Sequence, residues 1–554
     1  METRRVLGLV CLSLFSILII QKSHFPYEAL LSSSGKVYST FNGGGDDRVT
    51  GRDGTPSQLK YNLSVAVNIP TPEDNYGCSD KSRNVSGGSR TGFAPPAAPD
   101  SGVSPPSPGY PANNSDSLSE SDRKMIVPSD DIVAENVSLP TAVAGGGGVA
   151  ATAAAAVVSI SEMNDMLRQN NALFFTKSPL WQSLADDELS AARVQIQQAP
   201  KINHHPTLHV SIYRNLSTFV RSYEIMERKL KVYIYKEGER PVFHKPKLRG
   251  IYASEGWFMK HMKSSNNFLT TNPQKAHLFY FPFSSQLLAE HIYVRNSHSF
   301  VDIDKYLNNY LNTIKRKYPF WNRTDGADHF LVACHDWAPY ETKHRMSNCL
   351  RALCNADVKE GFHFGKDVSL AETYIHSPKN PMRSTGGEPP SRREVLAFFA
   401  GQMHGELRPI LLKQWENKDS EMKIFGKINK KSYIWYMKNS KYCICAKGYE
   451  VNSPRVVESI IYGCVPVIIS DNFVPPFFDI LNWEAFTIFV PEKDIPNLKR
   501  ILESIPEKKY LVMYKRVEQV RLHFVWHKEP IKYDIFHMIL HSIWYNRVSR
   551  SPLR

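Results

Sequence analysis

The stretch Lys447–Pro476, KGYEVNSPRVVESIIYGCVPVIISDNFVPP, decides how the chain is read. It runs as a glycine-bearing loop, a helix and an apolar strand, Val465-Pro-Val-Ile-Ile-Ser470, and a further strand, Tyr442-Cys-Ile-Cys445, leads into it. Ser453 is of a type that caps helix starts, and Pro454 suits the first helical position. A helix start offers free backbone N–H groups and the positive end of a dipole, which suit a diphosphate. Arg455 adds a charged donor in the first turn. Glu458 follows one turn later on the same face as Pro454 and Arg455, where a carboxylate can accept from both hydroxyls of a ribose. Spacing alone also describes an ordinary capped helix with a surface Arg–Glu pair.

Upstream, strand and helix patterns alternate. Lys231-Val-Tyr-Ile-Tyr235, Ala276-His-Leu-Phe-Tyr-Phe-Pro282 and His329-Phe-Leu-Val-Ala-Cys-His335 read as buried strands, with helices expected over Glu255–Lys263 and Phe300–Tyr318. A polar, Pro/Gly-rich segment, Ser377–Arg393, reads as a linker. A second series follows, with a strand over Val395–Gly401 and helices over Arg408–Trp415 and Tyr433–Asn439. The alternation predicts an α/β fold of two Rossmann-like domains, 205–390 and 391–554, each with a parallel sheet covered by helices. Two such units facing a cleft would hold ligands beyond the carboxyl ends of their strands. Residues 161–204 are expected as a helical lead-in.

The first 160 residues differ from the rest. Arg4 and Arg5 precede an uncharged run, Val6–Ile20. As a helix it spans about 22 Å against a hydrocarbon core of ~30 Å, so both a cleaved signal peptide and a short signal anchor fit. The anchor is favoured, because no small-residue cleavage site closely follows Ile20. That reading gives a cytosolic tail over 1–5, a transmembrane helix over 6–24 and a luminal stem over 25–160. The stem is rich in Gly, Ser, Pro, Asn and Ala and is expected to be disordered. Glycosylation sequons occur at Asn62, Asn84, Asn113, Asn136, Asn215 and Asn322.

The formal charge of +14 favours anionic partners, but no zinc-finger spacing or arginine-rich arm points to nucleic acid. Six of the eight cysteines, Cys334, Cys349, Cys354, Cys443, Cys445 and Cys464, could pair in an oxidising compartment, with connectivity left open. Asp302-Ile-Asp304 spells the metal-diphosphate signature of another transferase fold, but no strand precedes it, and both aspartates are expected to cap a helix. Gly145–Gly148 is no phosphate loop, because no Lys-Ser/Thr follows.

The stretch around Arg455 resembles the exostosin family of glycosyltransferases, particularly its plant members. The resemblance continues through Phe473–Trp483, Pro491-Glu-Lys-Asp-Ile-Pro496, Phe536-His-Met538 and Ser542-Ile-Trp-Tyr-Asn-Arg547. Upstream it takes in Phe398-Phe-Ala-Gly401, Arg408-Pro409 and His329–Pro339, so that it covers roughly residues 205–550. It implies a GT-B architecture, with the donor in the C-terminal domain and the acceptor mainly in the N-terminal one. It also implies an inverting transfer without a metal or other cofactor, in the Golgi lumen, by a type II membrane protein. Proline is usual in that family at Ala371 and Ala446, so both positions depart from the pattern and leave those loops freer.

A transfer of this kind needs its leaving diphosphate stabilised, and the candidates are Arg455, Lys447, His404 and Arg408 with N–H groups near Gly401 and Ser453. Glu458 and the 446–453 loop, with Gly448, are expected to hold the nucleotide. The acceptor hydroxyl needs a base at the cleft edge, for which His335 and Asp336 follow the third strand. The partners expected are a nucleotide-sugar co-substrate, a cell-wall or proteoglycan-type polysaccharide, the Golgi membrane and other glycosyltransferases. The basic balance mildly favours an acidic acceptor. A catalytically inactive glycan-binding partner and a nucleotide-sulfate-dependent transferase are the competing readings.

Overall fold

The structure, a computed structural model, describes residues 157–173, 178–381 and 385–552. The expected tail and anchor, and all but the end of the expected stem, lie outside the described residues. Among the described residues no helix is long and apolar enough to cross a membrane.

Two five-stranded sheets dominate, and every strand pair in both is parallel. The first sheet contains β1 (Val232–Ile234), β2 (Leu278–Tyr280), β3 (His329–Ala333), β4 (Leu350–Leu353) and β5 (Val368–Ser369), side by side in chain order. The second contains β6 (Val395–Ala400), β7 (Met422–Phe425), β8 (Ser440–Ala446), β9 (Val465–Ile469) and β10 (Ile488–Phe489), in the order β10-β9-β8-β6-β7. Most of these strands are apolar and buried along their length rather than alternating, as expected when helices cover both faces. The linker reading of 377–393 falls between the two sheets.

Four strands escape a reading by hydropathy: β5 and β10, of two residues each, are too short to show a pattern, and β4 and β7 each carry a charge. Within β4 lies Arg351, whose charge is buried against Asp367, with Nε–Oδ1 3.1 Å and Nη2–Oδ2 2.6 Å. Only its distant partner makes this arginine tolerable inside a sheet. In β7 a lysine interrupts a four-residue run, Met-Lys-Ile-Phe, too short to register a period.

The two lobes are stitched together by the segment after β9. Val358 N–H donates to Asn472 O (3.1 Å), Val474 N–H to Ala356 O (2.9 Å) and Phe477 N–H to Ser369 O (2.9 Å). The last helix, Ile535–Ser549, counted by position with the second lobe, packs against the first: Asn546 Nδ2 donates to Lys366 O and Asp367 O at 3.3 Å. Phe536, Met538, Ile539, Leu540, Ile543 and Trp544 are all buried, so this helix is apolar around most of its circumference and needs cover on several sides.

Disulfides join Cys334 to Cys354 and Cys443 to Cys464, while Cys349 and Cys445 are free and buried. Asp302 and Asp304 do not cap. The helix Val301–Lys317 starts at an N-cap of Phe300 without a side-chain cap bond, and Asp304 instead pairs with Arg345.

Candidate active site

Every residue of the site lies beyond the carboxyl end of a strand. In the second sheet β7 lies on one side of β6 and β8 on the other, so the loops leaving β6 and β8 diverge at a topological switch point, the usual place for a ligand crevice.

After β6 the chain turns at Gly401, where a Cβ would stand 2.2 Å from Arg455 Nη2. Arg455 reaches over this glycine to Ala400 O, through Nε at 3.0 Å and Nη2 at 2.6 Å, and through Nη1 to Ser453 Oγ at 3.1 Å. A guanidinium has five N–H donors, so two of them remain free. Ser453 therefore holds the arginine instead of capping the helix. That helix is Arg455–Ile461, entered through Pro454 with no side-chain cap. With seven residues the helix is short, and the full charge of the guanidinium stands at its start.

Arg408 is buried, and each of its nitrogens meets a backbone carbonyl: Nε with Lys447 O (3.1 Å), Nη1 with Gln402 O (3.1 Å) and Nη2 with Ala446 O (3.4 Å). It clamps the loop after β6 to the loop after β8. The same loops press together at Gly405, whose φ of +70° suits glycine and where a Cβ would lie 2.1 Å from Gly448 O. Burial, and then the neighbouring Arg455, lowers the Arg408 pKa to about 9. Neither guanidinium has an ion-pair partner among the described residues. Two unneutralised cations side by side favour an anion.

The other expected donor residues are less direct. Lys447 Nζ pairs with Glu492 at 2.7 Å, so much of its charge is answered within the protein. His404 stacks on exposed Tyr449 with centroids 5.2 Å apart, and burial, Arg408 and Arg455 lower its pKa. A Cβ on Gly448 would stand 3.0 Å from Arg408 Nη2, so this glycine admits the clamp. Glu458 does not pair with Arg455: its Oε2 accepts from the Tyr433 hydroxyl at 2.5 Å, and burial raises its pKa.

Across from these loops stand His335 and Asp336, just past β3. His335 is buried, and its Nδ1 accepts from Trp337 N–H at 3.3 Å, which puts the ring proton on Nε2. Burial holds its pKa down at about 3, so His335 is a neutral donor and unsuited to take a proton. Of the two expected bases, Asp336 is the one whose charged form is supported by side-chain donors. Its carboxylate accepts from the Tyr252 hydroxyl and from Asn355 Nδ2 (3.2 Å); burial raises its pKa, and those two bonds oppose the rise. Asn355 Oδ1 accepts in turn from Asn452 N–H (3.3 Å), which ties Asp336 to the β8 loop of the other lobe.

Four residues here lie outside every site segment expected from the sequence: Tyr252, Asn355, Glu372 and Tyr433. Glu372, beyond β5, is buried with no hydrogen-bond partner among the described residues. Burial, Asp336 and Glu458 hold its carboxyl well above the usual range, opposed by Arg408 and Arg455. Burial and Asp336 push Glu450 up to about 8. Glu450 lies in the 446–453 loop expected to hold the nucleotide, but no period or spacing singled it out within that loop. The others gain meaning only because strand ends from two lobes converge.

The Exostosin GT47 domain matches residues 226–505, about half of the chain. This chain belongs to the exostosin GT47 family. Its domain is thus a glycosyltransferase domain. It is 47% identical over 342 residues to a probable glycosyltransferase of Arabidopsis thaliana, covering 61% of this chain and 66% of that protein. A second probable glycosyltransferase of Arabidopsis thaliana is 40% identical, with 65% and 80% covered. A probable glucuronosyltransferase of Oryza sativa subsp. japonica is 31% identical, with 57% and 77% covered. The GT47 match takes in both sheets and every site residue named above, but stops before the helix Ile535–Ser549.

Proposed function

We propose that this GT47 domain is an inverting, metal-independent glycosyltransferase of GT-B architecture that moves a sugar from a nucleotide sugar to a cell-wall or proteoglycan-type polysaccharide in the Golgi lumen. The observation that carries the reading is the pair of unpaired guanidiniums, Arg408 and Arg455, at the switch point of the second sheet, opposite a carboxylate in the first lobe.

The two free N–H groups of Arg455 donate to the diphosphate oxygen as its bond to the anomeric carbon breaks and negative charge develops on it. Arg408 adds its field while holding the loops in register. Glu458, oriented by Tyr433, binds the ribose hydroxyls. Asp336 takes the proton of the acceptor hydroxyl while that oxygen bonds to the anomeric carbon from the opposite face, inverting it. Of the four carboxyls here, Asp336 is the one whose charged form takes donor bonds from two side chains, which oppose the rise that burial causes, whereas burial and Asp336 push Glu450 up to about 8. Cations in place of a divalent ion support independence from metal.

The test is hydrolysis and transfer with a panel of nucleotide sugars, with chelator present. Arg455→Ala should cut turnover by ~10²–10³, the usual loss of a donor to a developing oxyanion. Asp336→Asn should abolish transfer yet leave donor binding nearly intact. Transfer that stops on removal of divalent ions, or full turnover in Asp336→Asn, would sink the mechanism.

A further inference from the structure

A cavity of about 710 Å³ opens in the first lobe, lined by none of the active-site residues described above. That volume falls within the ~300–1,000 Å³ typical of small-molecule sites. Its walls come from the helices Val301–Lys317, Phe320–Thr324 and Ala338–Lys343 and from residues 344–348.

An aromatic run leads to it from the base. Trp337 follows Asp336 directly; the Phe300 ring meets Trp337 edge-on at 5.0 Å, and Tyr340, 49% exposed, packs on Phe300 at 4.7 Å. Beside these rings stand polar groups already fixed in pairs. Arg345 forms a bidentate pair with Asp304 (3.0 and 2.8 Å), and Asn348 Nδ2 donates to Asp325 Oδ2 (2.8 Å). Glu341 lines the cavity while only 6% exposed. Its Oε2 accepts from Ser285 Oγ at 2.5 Å, but its buried Oε1 has no partner. Burial pushes the Glu341 carboxyl up to about 8, so near neutrality it carries no charge. The charges of Asp304 and Asp325 are then balanced by Lys315 and Arg345.

We propose that this cavity is a second carbohydrate-binding site, which holds uncharged sugar residues of a polysaccharide away from the point of transfer. Apolar faces of sugar rings lie on Tyr340 and Phe300, and ring hydroxyls meet Arg345 and Asn348. The lack of net positive charge selects against uronate-rich chains, contrary to what the chain's overall basic balance suggests. The proposal deepens the reading of the domain as a polysaccharide-modifying transferase. It can fail alone, because binding is measured without donor or turnover.

The test is affinity electrophoresis of the full chain through gels containing arabinoxylan, xyloglucan or galactan, with polygalacturonate as the charged comparison. The expected result is retardation by at least one neutral polysaccharide. Tyr340→Ala and Arg345→Ala, both at exposed positions, should each weaken it about tenfold with unchanged melting temperature, and Arg455→Ala should retain it. No retardation by any of the three neutral polymers would overturn the proposal. So would stronger retardation by polygalacturonate, or retardation lost in Arg455→Ala but kept in both cavity variants.

Discussion

Asn355→Ala tests the link between the two lobes and the identity of the base together. Asn355 Nδ2 donates to Asp336 Oδ1 at 3.2 Å, a long bond, and the amide is uncharged. A hydrogen bond to a charged group is worth ~1.5–3 kcal/mol, and the length argues for the lower end. One pKa unit corresponds to about 1.4 kcal/mol, so losing this bond should raise the Asp336 pKa by about one unit. The sign follows from the bond stabilising the carboxylate and not the acid. The base must be ionised to act, so the acidic limb of the kcat/KM profile should move about one pH unit upward. Below the limb the variant should run about tenfold slower than the parent, with the two converging above it. The same change frees Asn452 N–H, so a rise in the KM for donor is expected as well. The assay is initial-rate transfer by the full chain across a pH series at saturating donor. An acidic limb unmoved in Asn355→Ala would refute the reasoning. If Glu450→Gln instead removes the limb, Glu450 is the base.

Two further outcomes are expected. Gly401→Ala would put a methyl group 2.2 Å from Arg455 Nη2, forcing the guanidinium off Ala400 O. Donor affinity should drop at least tenfold while stability, by thermal melting, falls by only ~1–3 kcal/mol, the usual cost of overpacking. Replacing Cys443 and Cys464 with serine opens a loop of sequence separation 21. Chain entropy then predicts a loss of about 3 kcal/mol, read as a lower denaturant midpoint with an unchanged KM, because this bridge ties β8 to the start of β9 away from the donor loops.

Much of the fold is legible in the sequence. The strands expected around Val232, Leu278, His329, Val395, Tyr442 and Val465 all form, because each is an apolar run bounded by polar or turn-forming residues. Four strands were not legible: a buried arginine and an interposed lysine break the pattern in β4 and β7, and β5 and β10 have only two residues each. In the site, Asp336, Gly401, Arg408, Arg455 and Glu458 do gather near the strand ends. The roles shift, however: Ser453 holds Arg455 instead of capping a helix, Arg408 clamps two loops, Lys447 turns to Glu492 and His335 is held neutral. Each shift depends on a partner in another segment, which local spacing cannot encode.

The sequence by itself determined that two α/β units follow one another and which strand ends carry charge. Period and burial are properties of a segment and can be read one segment at a time. Tertiary structure alone decided that Asn355 of one lobe bonds Asn452 of the other, that burial and then Asp336 raise the Glu372 and Glu450 carboxyls, and that Arg408 and Arg455 lack an ion-pair partner among the described residues. These facts concern distance and solvent exclusion between residues far apart in the chain, and an amino-acid order sets them only through the complete fold.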